Sequence, residues 1–152
     1  MPEPGATRVV RAHRAAVYRA LLDRSSIERW RVPDGMTARV LAWEPVVGGT
    51  LRVTLTHDER PAGGKSSPGV DTYHGTFTEL VADTRVVEVL EFETDDPDMA
   101  GPMTATTTLA DVTGGCEVTI AYEGLPGGVS REDNAKGTSM ALARLAALVE
   151  GG

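Results

Sequence analysis

Between Thr50 and His57 apolar and polar residues alternate: Leu51, Val53 and Leu55 share one face, and Arg52, Thr54 and Thr56 the other. That period of two predicts a half-buried strand. The same reading predicts strands at Thr7–Ala12, Thr37–Glu44, Asp71–Leu80, Arg85–Thr94, Met103–Asp111 and Cys116–Glu123. After the first, the strands fall into three hairpin-like pairs, and short connections make such neighbours antiparallel. Met1–Ala6, with its Pro and Gly residues, reads as a tail. Asp58–Val70 and Asp95–Pro102 are polar, Gly- and Pro-bearing loops.

The period lengthens in three places. Val17, Ala20 and Leu21 share a face at helical spacing within Arg14–Asp23. A second short helix, with Ser25 or Ser26 as its cap and Glu28 in its first turn, runs to Trp30. The last and longest pattern runs from Val129 to Val149. Thr138, Ala141, Leu142, Leu145, Leu148 and Val149 form one stripe there, at i, i+3, i+4, i+7, i+10 and i+11. Ser130 with Asp133 fits a helix start, and Gly151 and Gly152 fall where a helix ends. The stripe widens toward its end, so that half is expected to be the better buried. An antiparallel sheet and one long helix bury each other when the sheet curls around the helix. A gap left between them is a pocket.

Composition narrows the function classes. The 152 residues suit one domain, and 41% hydrophobic with 24% charged is ordinary for a globular protein. No apolar run approaches the ~20 residues that span a bilayer, and the N-terminus lacks a signal-peptide layout. The lone Cys116 rules out an internal disulfide and a cysteine metal cluster. These features lead to the expectation of a cytoplasmic protein with no membrane insertion. The net charge of −7 argues against nucleic acid, and the arginines between Arg8 and Arg31 read as a solvated face.

Candidate chemistry is thin. His57 and His74 flank the Asp58–Val70 loop, beside Asp58, Glu59 and Asp71, and would meet if their strands paired suitably; they are the weak candidates for a metal or an acid–base pair. His13 sits at a strand–helix junction, and Cys116 reads as a small buried hydrophobe. Glu88, Glu91, Glu93, Asp95 and Asp96 form an acidic run that reads as a solvated strand edge. No nucleophile elbow, phosphate loop or dinucleotide fingerprint is present, so neither a catalytic residue nor a cofactor is assigned. What remains is apolar. Alternation places Leu51, Val53, Leu55, Tyr73, Phe77, Met103, Ala105, Val118, Ile120 and Tyr122 on the concave face, with Trp30, Trp43, Phe92, Thr138, Met140 and Ala141 as further lining. Tyr122 offers the polar handle of such a site.

Several stretches in this order carry a resemblance: RVVRAHRAAVYRALLDRSSIERW (Arg8–Trp30), EPVVGGTLRV (Glu44–Val53), YHGTFTELVADTRVVEVLEFE (Tyr73–Glu93), GCEVTIAYEGLP (Gly115–Pro126) and the final helix. Together they resemble the START-like (SRPBCC) helix-grip superfamily, and within it the Hsp90 ATPase activator (AHSA1)-like group. The resemblance implies an α+β helix-grip fold: about seven antiparallel strands in a curved sheet around a long C-terminal helix, with two short helices after the first strand. It implies a cavity between sheet and helix. Related sequences often carry a Gly-Trp pair in the last helix; here Gly137 is followed by Thr138, and the missing ring should enlarge the space below. The expected function is binding of a small apolar or amphipathic molecule, lipid- or metabolite-like. The alternatives are a cyclase- or hydrolase-type enzyme drawing on Tyr122, His74 and Glu79, or a co-chaperone. A homodimer and a chaperone complex are the further associations that the resemblance raises.

Overall fold

A computed structural model describes residues 3–58 and 69–151, so most of the expected Asp58–Val70 loop, the first residues of the tail and Gly152 lie outside the described residues. The chain forms β1 (Glu3–Val10), α1 (Arg14–Leu22), α2 (Arg24–Trp30), β2 (Met36–Trp43), β3 (Thr50–His57), β4 (Val70–Val81), β5 (Arg85–Phe92), β6 (Met103–Val112), β7 (Gly115–Glu123) and α3 (Arg131–Glu150). The seven strands make one curled antiparallel sheet in the order β1-β7-β6-β5-β4-β3-β2. Each strand from β2 to β7 pairs with its sequence neighbours, and β1 closes onto β7. The α+β architecture is therefore the expected one.

Strand β1 starts earlier than its Pro and Gly residues suggest. Glu3 and Pro4 pair with Tyr122 and Ala121, and the register slips between Pro4 and Ala6. A Cβ on Gly5 would lie 2.9 Å from a ring carbon of Tyr122. The glycine that reads as tail is thus a packing residue: it makes room for an aromatic ring inside a paired strand. Gly75 serves the curl in a similar way, since a Cβ there would collide with the Val89 carbonyl on the neighbouring strand.

The caps differ in part from expectation. Asp23, not a serine, caps α2: its carboxylate accepts from the Ser26 amide (3.0 Å) and from the hydroxyls of Ser25 and Ser26 (2.7 Å each). These bonds hold its carboxyl below the usual range. An ionised acceptor outcompetes a hydroxyl for amide donors, which is why the aspartate takes the role. Glu28 leaves its own helix and accepts from the Val40 amide on β2. Ser130 does cap α3, accepting from the Asp133 amide. Gly151 caps the far end in an ordinary right-handed conformation, so no left-handed residue is needed there.

Helix α3 buries Thr138, Ala141, Leu142, Leu145 and Ala146, while Leu148 and Val149 are half-buried. Its backbone packs most closely on β1 and against α1 and α2. Arg144 reaches Asp34 beyond α2, and Glu150 accepts from the Arg11 amide beyond β1. The helix is thus held along one edge of the sheet and by the two short helices. Its approach to the central strands is left to side chains. Where those side chains are leucines the interior fills; where they are glycine, threonine and alanine it does not.

Candidate functional site

The unfilled part is a cavity of about 420 Å³ between α3, the end of α2 and the concave face of the sheet. Gly137, Thr138 and Ala141 form its helical wall. A Cβ on Gly137 would meet only Pro33, at 3.7 Å, which is ordinary contact distance. The Thr138 hydroxyl donates to the Asn134 carbonyl one turn back (2.7 Å), so it is spent on the helix and leaves its methyl as wall. Opposite lie Leu55, Tyr73, Leu90, Phe92, Met103, Ala105, Ile120 and Tyr122. Gly128, Ser130 and Asp133, exposed at the start of α3, mark where the cavity reaches the surface.

Of the residues expected to line this space, Trp30, Leu55, Tyr73, Phe92, Met103, Ala105, Ile120, Tyr122, Thr138 and Ala141 do. Trp43, Leu51, Val53, Phe77, Val118 and Met140 are not in the lining. Leu51, Val53, Phe77 and Val118 face inward but are sealed in solid core. Alternation fixes the face of a strand residue, not its height along the barrel. Trp43 stacks edge-on to Phe77 at 5.2 Å and donates its indole N–H to the Leu22 carbonyl (2.7 Å). Met140 lies two residues on from Thr138, about 200° around the helix, and so turns away.

The cavity is more polar than its sequence suggests. Arg31, the C-cap of α2, reaches over the sheet and donates from Nη1 to Glu88 Oε2 at 2.8 Å. The carboxylate side chain is 3% exposed and the arginine 18%. The guanidinium lies 5.7 Å from the centre of the Tyr73 ring, a cation–π distance. Burial alone would lower the Arg31 pKa, but Glu88 above all, with both tyrosines, raises it. Burial pushes the Tyr73 phenol up to about 12, against Arg31 and with Glu88 and Tyr122. Tyr73 therefore stays a neutral hydrogen-bonding group. Thr107 adds a further hydroxyl to the wall.

Glu88 corrects the reading of its acidic run as a solvated edge. It sits in phase with Val86 and Leu90 on the inward face of β5, between Phe77 and Ala105 on the neighbouring strands. Arg31 likewise departs from the solvated face assigned to the early arginines. The signal for Glu88 was present: a carboxylate in the apolar phase of a strand needs a buried cation.

His57 and His74 do not meet. His74 pairs with Arg52 across β3–β4 and lies on the outer face; its Nδ1 is 3.0 Å from Glu93, which also accepts two bonds from Arg52 at 2.8 Å. Those Arg52 bonds, more than His74, hold the Glu93 carboxyl low. Glu79 pairs with Arg85 and is also largely exposed. Of the three groups a catalytic reading needs, only Tyr122 lines the cavity. His57 does line it, with the buried Asp71 beside it: Nε2 stands 3.9 Å from Asp71 Oδ2, too far for a hydrogen bond. Among the described residues, that nitrogen is the one buried side-chain N or O atom without a hydrogen-bond partner. No group of three or more His, Cys, Asp or Glu residues among them could hold a metal ion, and no helix is long and apolar enough to cross a membrane. Cys116 is buried, and burial raises its thiol pKa, which fits an inert core residue.

The fold has many solved counterparts. A crystal structure of a Chromobacterium violaceum protein is 32% identical, covers 95% of this chain and 94% of its own, and superposes with a TM-score of 0.84. A Rhodobacter sphaeroides protein is 19% identical, with 100% and 99% covered and a TM-score of 0.75. The solution structure of an AHSA1-like protein from Aeromonas hydrophila is 19% identical, with 99% and 93% covered and a TM-score of 0.72. At 19% identity the likeness is one of fold. No curated protein gives a match. The family model for "Activator of Hsp90 ATPase homolog 1-like protein" matches residues 11–150, from the end of β1 to the end of α3. This chain therefore belongs to the AHSA1-like family of the SRPBCC superfamily.

Proposed function

We propose that this protein is a binding module that holds one small amphipathic molecule between its sheet and α3. The observation that carries the reading is the cavity of about 420 Å³, apolar over most of its wall, with a buried Arg31–Glu88 pair at its side. Such a site is of the size and character in which small ligands bury most of their surface. The ligand's apolar part would lie against Leu55, Leu90, Phe92 and Met103, and its polar part toward the Arg31, Tyr73 and Tyr122 cluster. Filling the cavity with anything that binds only the folded state raises the melting temperature. A panel of medium-chain amphiphiles and aromatic metabolites should therefore yield compounds that raise it in proportion to their concentration. A melting temperature unmoved across that panel contradicts the proposal.

A further inference from the structure

Arg31 and Glu88 bring more hydrogen-bonding capacity to the cavity wall than they use on each other. A guanidinium carries five N–H donors and a carboxylate about four lone-pair sites. One bond joins the two side chains, from Nη1 to Oε2 at 2.8 Å, and neither makes another among the described residues. The remaining donors and the second carboxylate oxygen are not sealed in core, because the one buried side-chain N or O atom without a partner there is His57 Nε2. They therefore open on the cavity that both residues line. Tyr73, whose ring lies 5.7 Å from the guanidinium, keeps its phenol proton and adds a hydroxyl to the same wall.

Charge narrows what can sit there. The ion pair is neutral as a whole. An anionic head reaching for Arg31 would be buried beside Glu88, and an ammonium reaching for Glu88 would be buried beside Arg31. Either one is a third buried charge that faces a like charge. A neutral carbonyl avoids this but leaves the Glu88 oxygen unpaired and dry. An amide does neither: its C=O accepts from Arg31 and its N–H donates to Glu88. Glu88, Leu90 and Phe92 alternate along the inner face of β5, and all three line the cavity. An alkyl chain attached to the amide therefore runs from the polar seat straight onto apolar wall.

We infer that the bound molecule carries a neutral amide, N–H beside C=O, seated on the Arg31–Glu88 pair. This rests on the proposed binding function and narrows its ligand class to amphipathic amides. The test compares octanamide, 2-nonanone, octanoate and octylammonium by calorimetric titration of the full chain at neutral pH. Octanamide should bind more tightly than either ion by about tenfold or more. It should lead the isosteric ketone, which cannot donate to Glu88, by about fivefold or more. Glu88→Gln leaves Arg31 without its counter-charge, and octanoate should then overtake octanamide. Where that variant does not fold, Arg31→Met with Glu88→Leu replaces it and should erase the amide's lead. The inference is overturned if any of the other three probes matches octanamide, or if the variant leaves the ranking unchanged. Four silent titrations beside a wider panel that does raise the melting temperature overturn the amide assignment alone. A silent panel as well overturns the binding function.

Discussion

The two halves of α3 face the same sheet and do different things. From Leu142 onward, Leu142, Leu145 and Ala146 are sealed against their surroundings, with at most 2% exposure. Before that point Gly137, Thr138 and Ala141 look across open space at Tyr73, Met103 and Ile120. Secondary structure does not distinguish the halves: the helix is continuous from Arg131 to Glu150. Side-chain volume does. A leucine spans the gap between helix and sheet; a glycine or a threonine methyl does not. The packed half holds the fold together, and the thin half leaves the room that function needs. The polar groups follow the same division, since Arg31, Glu88, Asp71 and Tyr73 all border the thin half.

The strongest way to break this comparison is to unbalance the thin half's own ion pair. Glu88→Ala leaves a buried guanidinium without its carboxylate and should cost about 3–5 kcal/mol in urea denaturation. The double change Arg31→Met with Glu88→Leu should recover most of that loss, because the desolvation cost goes with the charges. A small loss in the single variant would show that the pair is effectively solvated through the cavity.

Two alanines five residues apart on α3 sharpen the contrast. Ala146→Leu adds volume to the filled half and should destabilise by about 1–3 kcal/mol. Ala141→Leu adds the same volume beside the cavity and should change stability by under about 1 kcal/mol while reducing ligand binding. Equal penalties in thermal or chemical melts would mean that the interior is packed alike along the helix.

The smallest expected effect is at Gly137. Gly137→Ala removes a helix-interior glycine whose added Cβ meets only Pro33 at 3.7 Å. It should stabilise the protein by about 0.5–1 kcal/mol. A loss of stability on the same melts would show that the glycine is required by the backbone rather than by the cavity.

Much of this was legible in the sequence, and the failures have physical causes. Alternation located all seven strands and put Tyr73, Met103 and Ile120 on the inner face, because one buried face imposes a period of two. The thin half of α3 was marked by the resemblance, since Thr138 follows Gly137 where related sequences often carry a tryptophan. Arg31 and Glu88 escaped because each sits in a run of like charges, and their partnership spans 57 residues of chain. Only the phase of Glu88 with Val86 and Leu90 betrayed it. His57 and His74 illustrate the opposite error: proximity to one loop suggested that they meet, yet one lines the cavity and the other lies on the outer face with Arg52 and Glu93. The serines before α2 matched a capping preference, but a neighbouring carboxylate satisfied the same amide with a stronger bond.

The claim on which all of this depends is that the thin half of α3 leaves a space that a ligand occupies. Titrating the neutral fluorophore N-phenyl-1-naphthylamine into the natural protein and into Thr138→Trp tests it most directly, with the melting temperature of each recorded alongside. The natural protein should enhance its fluorescence through one saturable site. Thr138→Trp should remain folded, with an indole in the cavity, and show no such site. Saturable binding of equal affinity and stoichiometry in both proteins would contradict the account.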